Sequence, residues 1–321
     1  MKPRVAVIDI GSNSIKALVA ESDGSRFGLI PLYEETFEVR ISQGIAGNPP
    51  MLKGDRIEAG TEAVSTLWKE CCTYGPLSGL KIVATSAVRS ASNGDVFMDA
   101  VETATHCKPS ILSGIEEADA IAMGVRTDPA VGGGLEEFTV FDLGGGSLEL
   151  IRFKEGRVVA RTSLPLGSVR LTERFFGNPS LPIPSDEVIA LSGHIHDLIE
   201  AADIQLGPPV VGCSGGLAAL RHVMAERKKV PFETCHPVFK RPMINELAGK
   251  VLSQDLASRI DVSRIPAGRA DIFPAALITF QMILELAGAD ELLHSLHNLR
   301  YGLAWLLLNP IPEDESPAHQ E

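Results

Sequence analysis

The sequence predicts an α/β protein built from two duplicated domains. An apolar run, a single carboxylate and a glycine turn occupy residues 5–14, and the same arrangement returns at 138–147. In both halves, this pattern is followed by segments with the spacing of strands and of helices. A chain of 321 residues is long enough for two domains with cores of their own.

The two turns have the residue types of phosphate-binding loops. Three pairs of positions align, namely Asp9 with Asp142, Gly11 with Gly144, and Ser14 with Ser147. Glycines let the backbone turn sharply, and successive amides with no side chains over them form a concavity that binds anions. A plain glycine hairpin is the alternative for one such turn. Because the two turns repeat in register, phosphate binding is the favoured interpretation.

The first half begins with a predicted antiparallel meander. Residues 4–41 contain three apolar runs, and Asp23-Gly24 is a hairpin signal between two of them. The apolar spacing at 55–74 predicts a helix, which Gly75-Pro76 ends. Further elements are predicted as a strand at 80–84, a helix at 94–106 and a strand at 110–112.

Arg89 follows the buried strand that ends at Ala84. Open α/β sheets bind ligands beyond the carboxyl ends of their strands, and this position favours a phosphate contact. Pairing with a surface carboxylate is the alternative for this guanidinium.

Two neighbouring glutamates need separate explanations. Ser113 followed three residues later by Glu116 is a capping box, so that closing the start of a helix explains Glu116. Glu117 has no such structural role and lies in the first helical turn, beside the positive end of the helix dipole. Surface solvation is the alternative, but the position of Glu117 between the two halves favours a carboxylate in the cleft.

The second half is predicted to repeat the first. Residues 127–136 are the predicted hinge, which gives domains at 1–128 and 129–321. The predicted elements are strands at 138–143, 147–153 and 157–164, a helix introduced by 165–170, a loop at 178–184, a helix at 186–202, a strand and glycine turn at 209–216 that open a helix, helices at 243–253, 255–260 and 268–287, a strand at 292–296, and a helix at 299–308. The last helix is expected to pack back on the first domain, and 312–321 to be disordered.

Three features of the second half have competing interpretations. The glycine turn within 209–216 suits either a phosphate or nucleotide contact or the close packing of a helix on a strand. His194 and His196 lie two residues apart and hence on different helix faces, which disfavours a metal site. Arg269 and Asp271 are expected to form a local ion pair, although Arg269 is also a candidate phosphate contact.

Composition excludes several classes of function. The formal net charge of −12 argues against broad binding to nucleic acid or to anionic membranes. No window has the roughly 18 apolar residues of a membrane span, and the first apolar run is too short for a signal peptide. Five cysteines form neither a disulfide framework nor a zinc spacing. We therefore expect a cytoplasmic protein, and a polyanionic substrate would need a locally basic cleft or metal ions.

With these segments placed, the chain resembles the exopolyphosphatase and guanosine pentaphosphate phosphohydrolase family. The matching stretches are IDIGSNS (8–14), ATSAVRSASNG (84–94), SGIEEA (113–118), FDLGGGSLEL (141–150), LPLGSVRLTERF (164–175), GCSGG (212–216) and IPAGRAD (265–271). The family belongs to the fold superfamily of actin, sugar kinases and heat-shock ATPases. The resemblance implies two ribonuclease H-like domains around a central cleft, with Asp9 and Asp142 facing each other across it.

The resemblance also implies roles for individual residues. Glu117 activates or orients the attacking water, and Asp142 and Glu149 are essential acidic groups. Mg²⁺ or Mn²⁺ is expected beside Asp9, Asp142 and Glu149, because oxygen donors suit these ions. The expected phosphate-binding residues are Gly11, Ser12, Asn13, Ser14, Lys16, Arg89, Gly144, Gly145, Gly146 and Ser147.

The function expected from these features is metal-dependent hydrolysis of terminal phosphoanhydride bonds in inorganic polyphosphate. Hydrolysis of guanosine pentaphosphate, an ATPase or kinase of the same superfamily, and a noncatalytic nucleotide sensor are the alternatives, and a homodimer is a candidate assembly. The chain departs from the family pattern at Asp119, Lys16, Gly216 and Asn298. It also lacks the extra carboxyl-terminal helical domains of longer members, so a long polyphosphate channel is not expected.

Overall fold

The computed structural model describes residues 2–45, 49–131 and 134–310. Each half of the chain contains one β-sheet with helices packed on it. The hinge predicted at 127–136 includes two residues outside the described ranges, and the tail predicted to be disordered at 312–321 lies outside them entirely. No helix in the described part of the chain combines the length and apolar character needed to cross a bilayer.

The first half forms a five-stranded sheet. Its strands are β1 (Arg4–Ile10), β2 (Ile15–Ser22), β3 (Leu29–Phe37), β4 (Gly79–Ala84) and β5 (Ser110–Ile111). Their order is β3-β2-β1-β4-β5, with the first three antiparallel and β1, β4 and β5 parallel. The helices are α1 (Gly54–Cys72), α2 (Ser86–Ser90), α3 (Gly94–Thr105) and α4 (Gly114–Arg126). The predicted meander is therefore confirmed.

The second half forms a six-stranded sheet in the order β10-β11-β9-β6-β7-β8. Its strands are β6 (Phe138–Leu143), β7 (Leu148–Lys154), β8 (Arg157–Leu164), β9 (Val210–Gly212), β10 (Val238–Lys240) and β11 (Glu291–His294). Its helices are α5 (Ser168–Phe175), α6 (Ser185–Ala201), α7 (Gly215–Lys228), α8 (Arg241–Leu252), α9 (Leu256–Asp261), α10 (Phe273–Leu286) and α11 (Leu299–Leu308), with a 3₁₀ turn at Ala267–Arg269.

The two sheets share one topology. The order β8-β7-β6-β9-β11 matches β3-β2-β1-β4-β5, and β10 is an addition at the far edge. The predicted duplication of an α/β domain is thus confirmed. The helix predicted from residue 268 is wrong at its start, since α10 begins at Phe273. Pro274 lies in its first turn, where a missing amide hydrogen costs no helical hydrogen bond.

A shared core joins the two halves. Val7 of β1, Ile121 of α4, Ile151 of β7 and Tyr301 of α11 belong to one buried apolar cluster. The last helix, α11, packs against α4 and β1, so a segment from the end of the chain completes the core of the first half. Burial of apolar surface stabilises the folded protein by about 25 cal/mol per Å².

The crossing of α4 and α11 depends on two glycines. A β-carbon added at Gly124 would overlap the carbonyl oxygen of Asn298, and one at Gly302 would overlap that of Ala120. Both obstacles are backbone atoms, which cannot rotate away as a side chain can. The two helices therefore approach as closely as their backbones permit.

Gly302→Ala is expected to destabilise the protein by about 3 kcal/mol, because the new methyl group must push α4 and α11 apart. Urea unfolding monitored by circular dichroism measures the change. Gly249→Ala is the control, since Gly249 is an exposed glycine inside α8 with open space around it. It should be neutral or stabilising by about 0.5–1 kcal/mol. Equal losses of unfolding free energy in the two variants would contradict the close crossing of α4 and α11.

Candidate active site

Two matching turns lie where β1 and β6 end. In the first, the amide of Gly11 donates to the carbonyl oxygen of Ser14 at 3.1 Å. In the second turn, the amide of Gly144 donates to the carbonyl oxygen of Ser147 at 3.0 Å. The aligned residues therefore close their turns with the same hydrogen bond.

The start of α5 orients the second turn. The amides of Ser168 and Val169 donate to the carbonyl oxygens of Gly144 at 2.9 Å and Gly145 at 3.0 Å. Arg170 Nε donates to the carbonyl oxygen of Gly146 at 3.0 Å. In a planar trans peptide the carbonyl and the following amide point in opposite directions. The amides of Gly145, Gly146 and Ser147 therefore point away from α5.

The two turns lie almost in contact with each other. A β-carbon at Gly145 would lie 2.8 Å from Cβ of Ser12, and one at Gly146 would lie 2.6 Å from Oγ of Ser86. Glycine is required at both positions because the opposite wall leaves no room for a side chain.

A polar cavity of about 70 Å³ lies between the turns. Since about 10–15 Å³ accommodates one water by this measure, it has space for a phosphoryl group with a few waters. All of the predicted site residues line it except Arg89. They are Asp9, Gly11, Ser12, Asn13, Ser14, Lys16, Glu117, Asp142, Gly144, Gly145, Gly146, Ser147 and Glu149.

Four of these residues carry carboxyl groups, and burial raises the pKa of each one. The pKa of Asp142 rises to about 6, and that of Glu149 to about 7 because repulsion from Asp142 adds to burial. The pKa of Glu117 lies well above its usual value, through burial and the charge of Glu149. Burial also raises the pKa of Asp9, against the attraction of Lys16. Negative charge is therefore costly here unless a cation balances it.

Two basic residues line the same cavity. Burial lowers the pKa of the Lys16 ammonium, and the nearby Arg300 guanidinium lowers it further. Burial likewise lowers the pKa of Arg269. These two cations supply positive charge at the place where a phosphate would lie, in a protein whose overall charge is negative.

The donor set fits a divalent cation. Among the described residues, Asp9 Oδ1 and both amide atoms of Asn13 are shielded from solvent without a hydrogen-bond partner. Asp142 and Glu149 are register partners on β6 and β7, so their carboxylates lie on the same side of that sheet. No three acidic, histidine or cysteine side chains in the described ranges form a ready-made metal cluster. An ion here would therefore take further oxygens from water and substrate, as Mg²⁺ commonly does.

Glu117 is held in the cavity wall by Arg89. The capping box formed by Ser113 and Glu116 begins α4 as predicted, and it leaves Glu117 free to turn inward with 7% of its surface exposed. Arg89 Nη1 donates to Glu117 Oε2 at 3.0 Å and to the carbonyl oxygen of Leu112 at 2.6 Å. Arg89 thus contacts the candidate catalytic carboxylate, and its predicted phosphate contact stays a prediction.

Glu149 is held by the neighbouring strand. Ser163 Oγ on β8 donates to Glu149 Oε1 at 2.7 Å, and the two residues are register partners. This bond fixes the direction of one carboxyl oxygen of Glu149. Sequence reasoning missed Ser163, because only the register of β7 and β8 brings it to Glu149.

The structure corrects one prediction about basic residues and adds one basic residue near the site. The local pair of Arg269 and Asp271 is wrong: Asp271 binds Arg40 of the first half, and Arg269 lies 3.8 Å from Glu38. Sequence reasoning also overlooked Arg300, whose Nη1 donates to the carbonyl oxygen of Ala17 at 2.8 Å. Its position after a strand end resembles that of Arg89, which was the available signal.

The glycine turn before α7 packs closely on its neighbours and also lines the polar cavity, and its predicted phosphate or nucleotide contact stays a prediction. Gly215 lines the polar cavity of about 70 Å³ between the two turns, hereafter the phosphate cavity, while Gly216 packs against Phe280. Gly215 also lines a neighbouring cavity of about 520 Å³, which contains Arg300 and His222. A third cavity, of about 360 Å³, lies beyond Gly145 and Gly146 and contains Arg174. The phosphate cavity therefore has a larger space on each side.

Two sheets of one topology, each with a matching glycine turn at the end of its first strand, agree with the actin-like ATPase fold that the resemblance implied. A model of the Ppx/GppA phosphatase family matches residues 18–309, and the chain belongs to that family. The resemblance seen in the sequence is thus confirmed.

Similar proteins include two curated relatives. Guanosine-5'-triphosphate,3'-diphosphate pyrophosphatase of Vibrio vulnificus is 28% identical over 317 residues, which are 98% of this chain and 61% of the relative. Exopolyphosphatase 2 of Mycobacterium tuberculosis is 28% identical over 316 residues, which are 94% of this chain and 97% of the relative. The chain thus spans about three fifths of the first relative. Both relatives are named for the predicted class of enzyme, phosphoanhydride hydrolases.

Solved structures show the same architecture. The Ppx/GppA enzyme of Aquifex aeolicus has a TM-score of 0.78 at 25% identity, covering 95% of this chain and 99% of that one. An exopolyphosphatase from Cytophaga hutchinsonii has a TM-score of 0.84 at 21% identity, and the match covers 96% of this chain and 99% of that one. The second likeness concerns the fold alone.

Proposed function

We propose that this protein hydrolyses the terminal phosphoanhydride bonds of inorganic polyphosphate and releases orthophosphate. The observation that carries the proposal is the pair of phosphate loops facing a cavity that also contains Glu117, Lys16 and Arg269. Hydrolysis of such a bond requires little covalent chemistry from the protein. It requires a fixed phosphoryl group, balanced charge and an aligned water.

The loops and the two cations bind the terminal phosphoryl group in this mechanism. Amides of Gly145, Gly146 and Ser147 donate to its oxygens from one side, and the first loop contacts it from the other. Lys16 and Arg269 balance the charge that spreads over these oxygens and over the leaving group.

Glu117 orients the attacking water. Its carboxyl group lies in the cavity wall and is held from behind by Arg89, so that one oxygen is available to a water beside the phosphoryl group. The raised pKa makes this carboxylate a better proton acceptor than an exposed glutamate. Asp9, Asp142 and Glu149 would hold Mg²⁺ or Mn²⁺, which supplies Lewis-acid stabilisation of the phosphoryl oxygens when bound.

Mg²⁺ is expected to stabilise the folded protein, because the acidic cavity that would bind the ion exists only in the folded state. At an ion concentration 100 times the Kd, the gain is about 2.7 kcal/mol. Thermal unfolding with and without Mg²⁺ measures this gain. Asp142→Asn should abolish most of the Mg²⁺-dependent rise in Tm, whereas Asp261→Asn, on α9, should keep it. An equal rise in both variants would place the ion elsewhere.

Guanosine pentaphosphate is the second candidate substrate. The 520 Å³ cavity beside Gly215 and Arg269 offers space for a nucleoside next to the terminal phosphate site. Its lining is mixed, with basic Arg300 and His222 but acidic Glu34. A nucleoside triphosphate end presents the same terminal anhydride as polyphosphate, so one mechanism serves both substrates.

Phosphate release from polyphosphates of defined length, guanosine pentaphosphate and ATP tests the choice of substrate. We expect kcat/KM for polyphosphate to rise with chain length over the first few phosphates and then to level off, because the basic residues near the site line the phosphate cavity and the two cavities beside it. A continued rise to chains of hundreds of phosphates would indicate a long basic track. A preference for ATP over both other substrates would favour a nucleotidase.

The proposal includes a cytoplasmic location and a homodimer. All five cysteines are free, which fits a reducing compartment. Sedimentation equilibrium at several protein concentrations tests the assembly, and a single species of 34.3 kDa would contradict the dimer.

A further inference from the structure

Two charged pairs connect the halves of the protein beside the phosphate cavity. The segment after β3 belongs to the first half, and the turn at 267–271 belongs to the second. Arg40 donates two hydrogen bonds to Asp271, from Nη1 to Oδ2 at 2.7 Å and from Nη2 to Oδ1 at 2.8 Å. Arg269 points back toward Glu38 at 3.8 Å, so acid and base alternate across the junction.

The contact between Arg40 and Asp271 is bidentate, the strongest geometry for such a pair. Arg40 Nη2 also donates to the carbonyl oxygen of Gly268 at 2.6 Å, which attaches the guanidinium to the backbone of the same turn. The side chains of Arg40 and Asp271 keep 29% and 23% of their surface exposed. The ion pair is therefore accessible to water.

Arg40 also holds the first phosphate loop. Its amide donates to the carbonyl oxygen of Asn13 at 2.9 Å, and Ser42 donates to that of Ser12 from both its amide and its hydroxyl group. Arg40 itself has a φ of +53°, a conformation that residues other than glycine rarely adopt. A strained backbone persists only where surrounding contacts require it.

One residue thus touches both walls of the cavity. The backbone of Arg40 contacts the loop that contains Asn13, and its side chain contacts the turn that contains Arg269. Arg269 lines the cavity from a 3₁₀ turn of three residues, which has few internal bonds to fix its position. The position of the Arg269 guanidinium therefore depends on what holds this turn.

We propose that Arg40 is a positioning residue whose bidentate pair with Asp271 closes the two halves and places Arg269 opposite the first phosphate loop. The effect on catalysis rests on the function proposed above. An ion pair whose side chains keep 29% and 23% of their surface exposed contributes little to global stability. Its effect on the relative position of catalytic groups is larger, because a misplacement of about 1 Å costs up to about 100-fold in rate.

The test combines Arg40→Ala, Asp271→Asn and the double variant. Each single change should lower kcat/KM for polyphosphate by about 10- to 100-fold. The double variant should lose no more than the single ones, since both remove one interaction. Asp271→Asn keeps the shape of the side chain and tests the pair even if Arg40→Ala folds poorly. Losses that multiply in the double variant, or single variants with full activity, would overturn the proposal.

Arg241→Ala is the matched control. Arg241 lies 3.7 Å from Glu285 within the second half, and its side chain is 33% exposed, close to the value for Arg40. Its loss should leave kcat/KM unchanged. The three single variants should all keep a Tm within a few degrees of the wild type.

Hydrogen exchange measures the junction without catalysis. Peptides covering residues 10–14 and 265–271 should exchange faster in Arg40→Ala and Asp271→Asn than in the wild type or in Arg241→Ala. Unchanged exchange in both peptides would overturn the proposal. If the wild type releases no phosphate from any substrate, the proposed function fails, while the exchange comparison still decides whether the pair holds the junction closed.

Discussion

Glu117→Gln is expected to lower kcat by about 10²–10⁴-fold while changing substrate affinity little, the usual contribution of a positioned general base. The amide has the shape of the carboxylate and can still accept a hydrogen bond from Arg89, so the cavity wall should keep its structure. It cannot accept a proton from water. Single-turnover phosphate release measures the effect on the chemical step, and equilibrium binding of a nonhydrolysable analogue measures the effect on substrate affinity.

The structure explains why Glu117 and not its neighbour should have this effect. Glu116 accepts a hydrogen bond from the Ser113 amide at 2.8 Å and is occupied by the helix cap. Glu117 is buried and points into the cavity, where burial and the charge of Glu149 raise its pKa. The two side chains are adjacent in sequence but have different environments.

Glu116→Gln is the matched control, because it makes the same chemical change one residue earlier. It should keep kcat near the wild-type value and cost at most about 1 kcal/mol of stability, since glutamine also completes a capping box. A loss of turnover in Glu116→Gln with normal turnover in Glu117→Gln would show that the catalytic and capping roles are reversed.

The local parts of the site could be predicted from the sequence. The phosphate loops are runs of adjacent residues, and the capping box is a pattern at a spacing of three, so both can be found without a fold. Assigning the cap to Glu116 left Glu117 as the residue without a structural explanation, and the structure places its side chain in the cavity. Chain duplication added a second observation for each loop.

Long-range partners could not be predicted, because the sequence shows neighbours only along the chain. Arg269 and Asp271 are two residues apart, which suggested a local pair. Each instead contacts the segment after β3, and Arg40 lies 231 positions from Asp271. Likewise, Arg89 meets Glu117 only because α2, which follows β4, lies beside the start of α4. A charged residue in a loop has many candidate partners until the topology selects one.

Gly146→Ala is expected to lower kcat/KM by about 100-fold, the second large effect. The added methyl group would lie 2.6 Å from Oγ of Ser86 and 2.8 Å from Oγ of Ser12. Both serines are buried, and Cβ of Ser86 would lie only 3.1 Å from the added carbon, so rotation of the hydroxyl groups alone does not make room for it. We expect the second loop to move away from Ser12 and Ser86, so that amides and cations that converge on one phosphoryl group would no longer do so.

Gly144→Ala is the comparison that isolates this separation. It adds the same methyl group two residues earlier in the same loop, where the nearest atom, the carbonyl oxygen of Ser147, is 3.4 Å away. We expect a loss in kcat/KM of less than about tenfold, because contact at this distance needs little movement. Overpacking at Gly146 should also cost about 1–3 kcal/mol of stability, so both variants are compared well below their Tm. If the two alanines reduced kcat/KM equally, the loss would come from the flexibility of the glycine loop and not from the approach of the two turns.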